Sequence, residues 1–159
     1  MDPLHIWKTQ FTDDLRAAAA EAFFNDATLN DFHRAAETFI ARQKNFRPAF
    51  IKKLPLAKRA FYLAHMPLSP DLTSQLLVSY HFAHQRPLMA AFLNALNIPN
   101  DNGLITGEGE VPTPDAAAIT AAVETVRPNF PPDDVNRYFA TLYSQNPETW
   151  KDLQPFVAT

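Results

Sequence analysis

Apolar residues recur along this chain at the three- and four-residue spacing of amphipathic helices. Phe11, Leu15, Ala18, Ala22 and Phe23 fall on one helical face, with Asp13, Asp14 and Glu21 off it. Phe32, Ala36, Phe39 and Ile40 form a second stripe. Leu72, Leu76, Tyr80 and Ala83 form a third, and Val78 and Phe82 widen its apolar arc, which predicts a central helix. Leu88, Phe92 and Leu96 continue the pattern. Ile119, Val123 and Val126 make another stripe, and Val135, Tyr138, Phe139 and Leu142 the last.

Polar punctuation places the helix starts. A capping residue, a proline and an acid stand together at Ser69-Pro70-Asp71, Thr113-Pro114-Asp115 and Asn146-Pro147-Glu148. The cap accepts a hydrogen bond from an orphan backbone N–H, proline lacks an N–H where none is needed, and the acid meets the positive end of the helix. Thr28 with Asp31 predicts a fourth start, close to a capping box. Pro131-Pro132-Asp133-Asp134 predicts a fifth. Arg47-Pro48, Arg86-Pro87 and Arg127-Pro128 stand roughly 40 residues apart, the length of a two-helix repeat unit. Without good caps before them, Pro48 and Pro87 are candidates to kink a continuous helix.

The 98–114 segment interrupts the helical pattern. It holds all three glycines, Gly103, Gly107 and Gly109, and the turn signal Asn100-Asp101-Asn102-Gly103, with room for a short hairpin around Leu104-Ile105. It reads as a connector between two helical parts. The fold expected is all-α: a single domain over 1–159, built as an orthogonal bundle or a short array of helical hairpins, with six to eight helices.

Composition narrows the classes. The chain has 159 residues, with 47% hydrophobic residues and a net charge of -3, which excludes intrinsic disorder. Three glycines argue against Rossmann, P-loop and hairpin-rich folds, and the absence of cysteine removes thiol chemistry and zinc ribbons. No signal-peptide pattern opens the chain and no apolar run approaches a membrane span, so the expected location is cytoplasmic, with no membrane partner.

Charge changes the picture more than the net value suggests. Residues 1–37 hold three basic and seven acidic side chains. Residues 38–86 hold eight basic and one acidic, and residues 87–159 three basic and nine acidic. Arg42, Lys44, Arg47, Lys52, Lys53, Lys58 and Arg59 lie in a stretch without acids, interleaved with Phe46, Phe50, Phe61 and Tyr62. This segment is the candidate anion-binding surface, for nucleic acid, a phosphorylated ligand or an acidic protein. The competing reading is a solvated face, neutralised by the acidic flanks and with its aromatics in the core. Overall acidity argues against a dedicated nucleic-acid binder.

Candidate chemistry is sparse. Tyr80, His81, His84 and Arg86 form the densest group of site-capable side chains, able together to donate to, accept from and neutralise a small anion. His81 and His84 stand one helical turn apart, as a metal pair would, but no Glu-x-x-His or His-Glu-x-x-His supplies further ligands. On the helical wheel His84 falls inside the apolar arc, as a core histidine. His33 and Glu37 are spaced for a surface contact. The glycine segment lacks the lysine of a P-loop, and an EF-hand alignment puts Ile98 and Gly109 at ligand positions. No serine sits in a Gly-x-Ser-x-Gly elbow. The expectation is a non-enzymatic protein- or ligand-binding module without metal or cofactor. A protein partner or a homo-oligomer joined by opposite charges is expected. An anion or nucleic-acid binder is one alternative. A metal-dependent or ligand-binding enzyme centred on the Tyr80–Arg86 group is the other.

Overall fold

The computed structural model describes residues 1–107 and 111–157. Nine α-helices occur among them: α1 (Pro3–Thr9), α2 (Asp13–Asn25), α3 (Asn30–Lys44), α4 (Pro48–Lys53), α5 (Leu56–Ala64), α6 (Pro70–His84), α7 (Arg86–Ala95), α8 (Ala116–Val126) and α9 (Pro132–Gln145). The fold is all-α, one helix more than the upper expectation, because Pro48 and Pro55 break the middle of the chain into the short α4 and α5. Among the described residues no helix is long and apolar enough to cross a membrane.

Contacts divide the chain into two compact units. One is Pro3–Tyr80; the other is His81 onward with Met1–Asp2, so the division falls within α6. In the N-terminal unit α2 packs on α5, and α3 packs on α4 and α5. The buried residues of α2 and α5 include Ala19, Ala20, Phe23, Ala60, Leu63 and Ala64, and the alanines let the backbones approach closely. The α2 stripe is rotated from the predicted one. Phe11 precedes the helix, which Thr12 caps, so Phe11 does not set its phase. Leu15, Ala18 and Ala22 are half-buried as a result. Arg16 ties α1 to α2 by donating to the carbonyls of Trp7 and Lys8 at the end of α1.

In the C-terminal unit α7 packs on α8, and both α8 and α9 meet a 3-10 segment over Lys151–Phe156. Phe92 lies 4.8 Å from Phe139, 5.9 Å from Tyr138 and 6.1 Å from Trp150 between ring centroids. Full burial of each such ring contributes about 1.5–3 kcal/mol relative to exposure. Asn100–Asp101 and Leu104–Ile105 pair as a hairpin that packs on α7. Its turn needs two left-handed residues, and Asn102 and Gly103 provide them with φ of 48° and 88°. A Cβ at residue 103 would lie 2.6 Å from Met89 Cβ, so the close approach to α7 also requires glycine. Gly109 lies outside the described residues.

The predicted starts hold at Pro70, where Ser69 Oγ accepts from Leu72 N–H, and at Pro132. Three differ. Asp115 caps α8 in place of Thr113, accepting from Ala118 N–H at 2.8 Å. Asp26 caps a 3-10 turn ahead of α3, accepting from both the N–H and the hydroxyl of Thr28. Asn146 accepts from Thr149 N–H as a cap would, but a 3-10 segment containing Pro155 follows instead of an α-helix. The Arg-Pro pairs all mark boundaries. A full break precedes Pro48, Gln85 alone separates α6 from α7, and Arg127-Pro128 lies in a 3-10 turn.

Candidate functional site

The basic segment occupies the end of α3, the turn at Arg47, α4 and α5. Asn45 ends α3 in the left-handed conformation at φ 55°, and Pro48 opens α4. Ile51 of α4 and Leu63 of α5 are fully buried. Helical geometry therefore turns the neighbouring positions outward. Arg42, Lys44, Arg47, Lys52, Lys53 and Lys58 are exposed. None of these six forms an ion pair among the described residues. Arg59 differs. It donates to Glu37 at 2.9 Å, and its guanidinium lies 5.2 Å from the Phe24 ring centre. Among the described residues an ion pair thus reaches one of the seven cations.

The interleaved aromatics are not all in the core. Phe50 is 47% exposed and Phe61 53% exposed, while Phe46 and Tyr62 are half-buried. They form a continuous chain of edge contacts: Phe50 to Phe46 at 5.1 Å, Phe46 to Tyr62 at 5.8 Å, Tyr62 to Phe61 at 6.1 Å. His65 extends it, 4.4 Å from Phe61. Lys44 Nζ stands 5.4 Å from the Tyr62 ring centre. Phe50 and Phe61 thus keep large apolar rings in water at the ends of a packed aromatic row, with Lys44 beside Tyr62.

A groove of about 600 Å³ lies between the outer face of α3 and the first turn of α6. Phe32, Ala35, Phe39 and Leu72 make it apolar, and Arg34, Arg42 and Asp71 also line it. The predicted stripe of α3 is therefore split. Ala36 and Ile40 are buried, whereas Phe32 and Phe39 face the groove. Periodicity marks an apolar stripe but not what covers it.

Tyr80, His81, His84 and Arg86 of the second candidate group differ in burial and in their contacts. Tyr80 is buried with its ring edge-on to Phe11 at 5.0 Å. His81 is buried in the C-terminal unit, its Nε2 3.0 Å from Thr141 Oγ1. The Thr141 hydroxyl donates to the Arg137 carbonyl. Burial, then the nearby charge of Arg137, pushes the His81 pKa down to about 3, against a smaller opposing effect of a hydrogen bond with the Arg137 backbone. Burial also raises the Tyr138 pKa. His84 is exposed, not in the apolar arc, because α6 turns His81 inward in its place. Arg86 donates to the Phe82 and Asn102 carbonyls, holding the hairpin to the start of α7. His33 meets the Phe23 carbonyl at 2.6 Å and leaves Glu37 to Arg59. Among the described residues no cluster of three or more His, Asp or Glu side chains is placed to hold a metal ion. Comparison with known proteins finds no matching family model, no matching curated protein and no matching solved structure.

Proposed function

We propose that this chain is a non-enzymatic binding module whose partner is an acidic protein segment carrying large apolar side chains. The observation that carries this reading is the joint exposure of Phe50 and Phe61 in a segment whose six cations other than Arg59 form no ion pair among the described residues. Aromatic anchors supply the energy of most protein interfaces, and a charged rim steers the partner and sets orientation. Nucleic acid would engage the same cations, but base stacking uses open ring faces. Here adjacent rings meet edge-on, at 64–67° between planes. A net charge of -3 adds repulsion towards a polyanion as long as a nucleic acid.

Fluorescence anisotropy with a labelled helical peptide tests the reading. The peptide carries Glu on one face and Leu and Phe on the other. Binding is expected at ~50 mM salt, weakening as salt rises. Phe61→Ala weakens it roughly tenfold or more, the loss of one aromatic anchor. A peptide with Lys in place of every Glu does not bind. Equal binding of both peptides, or binding of a single-stranded oligonucleotide but of neither peptide, overturns it.

A further inference from the structure

The groove between α3 and the first turn of α6 shares Arg42 with the basic segment but is lined by neither Phe50 nor Phe61. We infer that it is a binding site for a small amphipathic carboxylate, an alkyl acid whose chain lies along Phe32, Phe39 and Leu72 and whose carboxylate meets Arg42. Three observations carry this. The volume, about 600 Å³, lies in the range of ~300–1,000 Å³ usual for small-molecule clefts. Its walls are predominantly apolar, and Phe32 remains 41% exposed there although it belongs to the apolar stripe of its helix. A large ring left 41% exposed on the same stripe that buries Ala36 and Ile40 in the next two turns is not covered by the core.

The third observation is the charge at the rim. Arg34 is already paired with Asp31 at 3.1 Å, but Arg42 forms no ion pair among the described residues. A guanidinium holds a carboxylate in a two-pronged hydrogen bond, so Arg42 selects for an acid head group. Asp71, on the α6 side, repels a second anion and sets the ligand's direction, head towards α3. The Ser69 hydroxyl is already engaged as the cap of α6, so the head group is not held there. A longer polyanion is disfavoured, because the apolar floor offers it no partner for its other charges.

Displacement of a dansyl-labelled fatty acid from the full chain tests the proposal. Decanoate is expected to displace the probe, decanol more weakly, and decyltrimethylammonium not at all. Arg42→Ala weakens decanoate roughly tenfold and leaves decanol unchanged, as loss of one charge-assisted contact requires. Ala35→Trp fills the groove and removes probe binding. Because residue 35 is exposed, its variant keeps the parent's melting temperature and its affinity for the acidic peptide. Phe61→Ala does the reverse, weakening the peptide roughly tenfold or more and keeping decanoate, so the two sites are read separately. Displacement by decyltrimethylammonium as strong as by decanoate, unchanged binding in Ala35→Trp, or no probe binding overturns the proposal.

Discussion

A neutral imidazole at residue 81 makes stability depend on pH in a direction that follows from its burial. The folded pKa of His81, about 3, lies below its ordinary 6.5. Protons therefore bind the unfolded chain more readily between those values. The stability contributed by the neutral ring is complete above pH 6.5 and falls as pH drops towards 3. Wild type is expected to lose about 2 kcal/mol between pH 7 and pH 5 that His81→Gln does not lose. Denaturant unfolding of both proteins at the two pH values measures the difference, and equal losses would refute it. Sequence alone paired His81 with His84 and put the wrong one inside. The two stand three residues apart, so a modest rotation of α6 exchanges their environments. That rotation is set by what packs against the helix, such as Tyr138, 5.5 Å from the His81 ring.

Two of the five predicted helix starts, at Pro70 and Pro132, were legible because capping signals act over three or four residues. The hairpin was legible for the same reason, since Asn102-Gly103 carries its turn in its own backbone preference. Where two capping residues compete within one short segment, local rules do not choose. Thr113 and Asp115 both precede α8, and the carboxylate of Asp115 takes the role. Asp115→Ala is therefore expected to cost about 1 kcal/mol, as loss of a cap does. Thr113→Ala, in an exposed position, stays within about 0.5 kcal/mol of wild type. Chemical denaturation separates them, and a larger loss for the threonine variant would restore the sequence-based start. The second site lay within reach of pattern reading only as a stripe. Phe32 and Phe39 share a helical face with Ala36 and Ile40, and no spacing rule says that α6 begins where it leaves the first pair uncovered.

At the scale of the molecule, net charge misrepresents the surface. The chain carries -3 overall, yet six cations of the 42–59 segment are exposed and form no ion pair among the described residues. Retention on a cation-exchange resin at pH 7 and low salt is expected despite a pI of 5.9. Lys52→Glu with Lys53→Glu should flow through, whereas equal elution of the two proteins would show that the face does not act as a unit. The helical class, the helix starts at Pro70 and Pro132, the hairpin turn and the basic stretch were determined by the sequence itself, because propensity, capping and composition operate within a few residues. Tertiary structure decided which of those features meet solvent. It buried Ile51 and Leu63 and left Phe50 and Phe61 outside, and it gave Arg59 an acid 22 residues away while giving Arg42 none among the described residues. Exposure and neutralisation depend on residues distant in the chain, so only packing sets them.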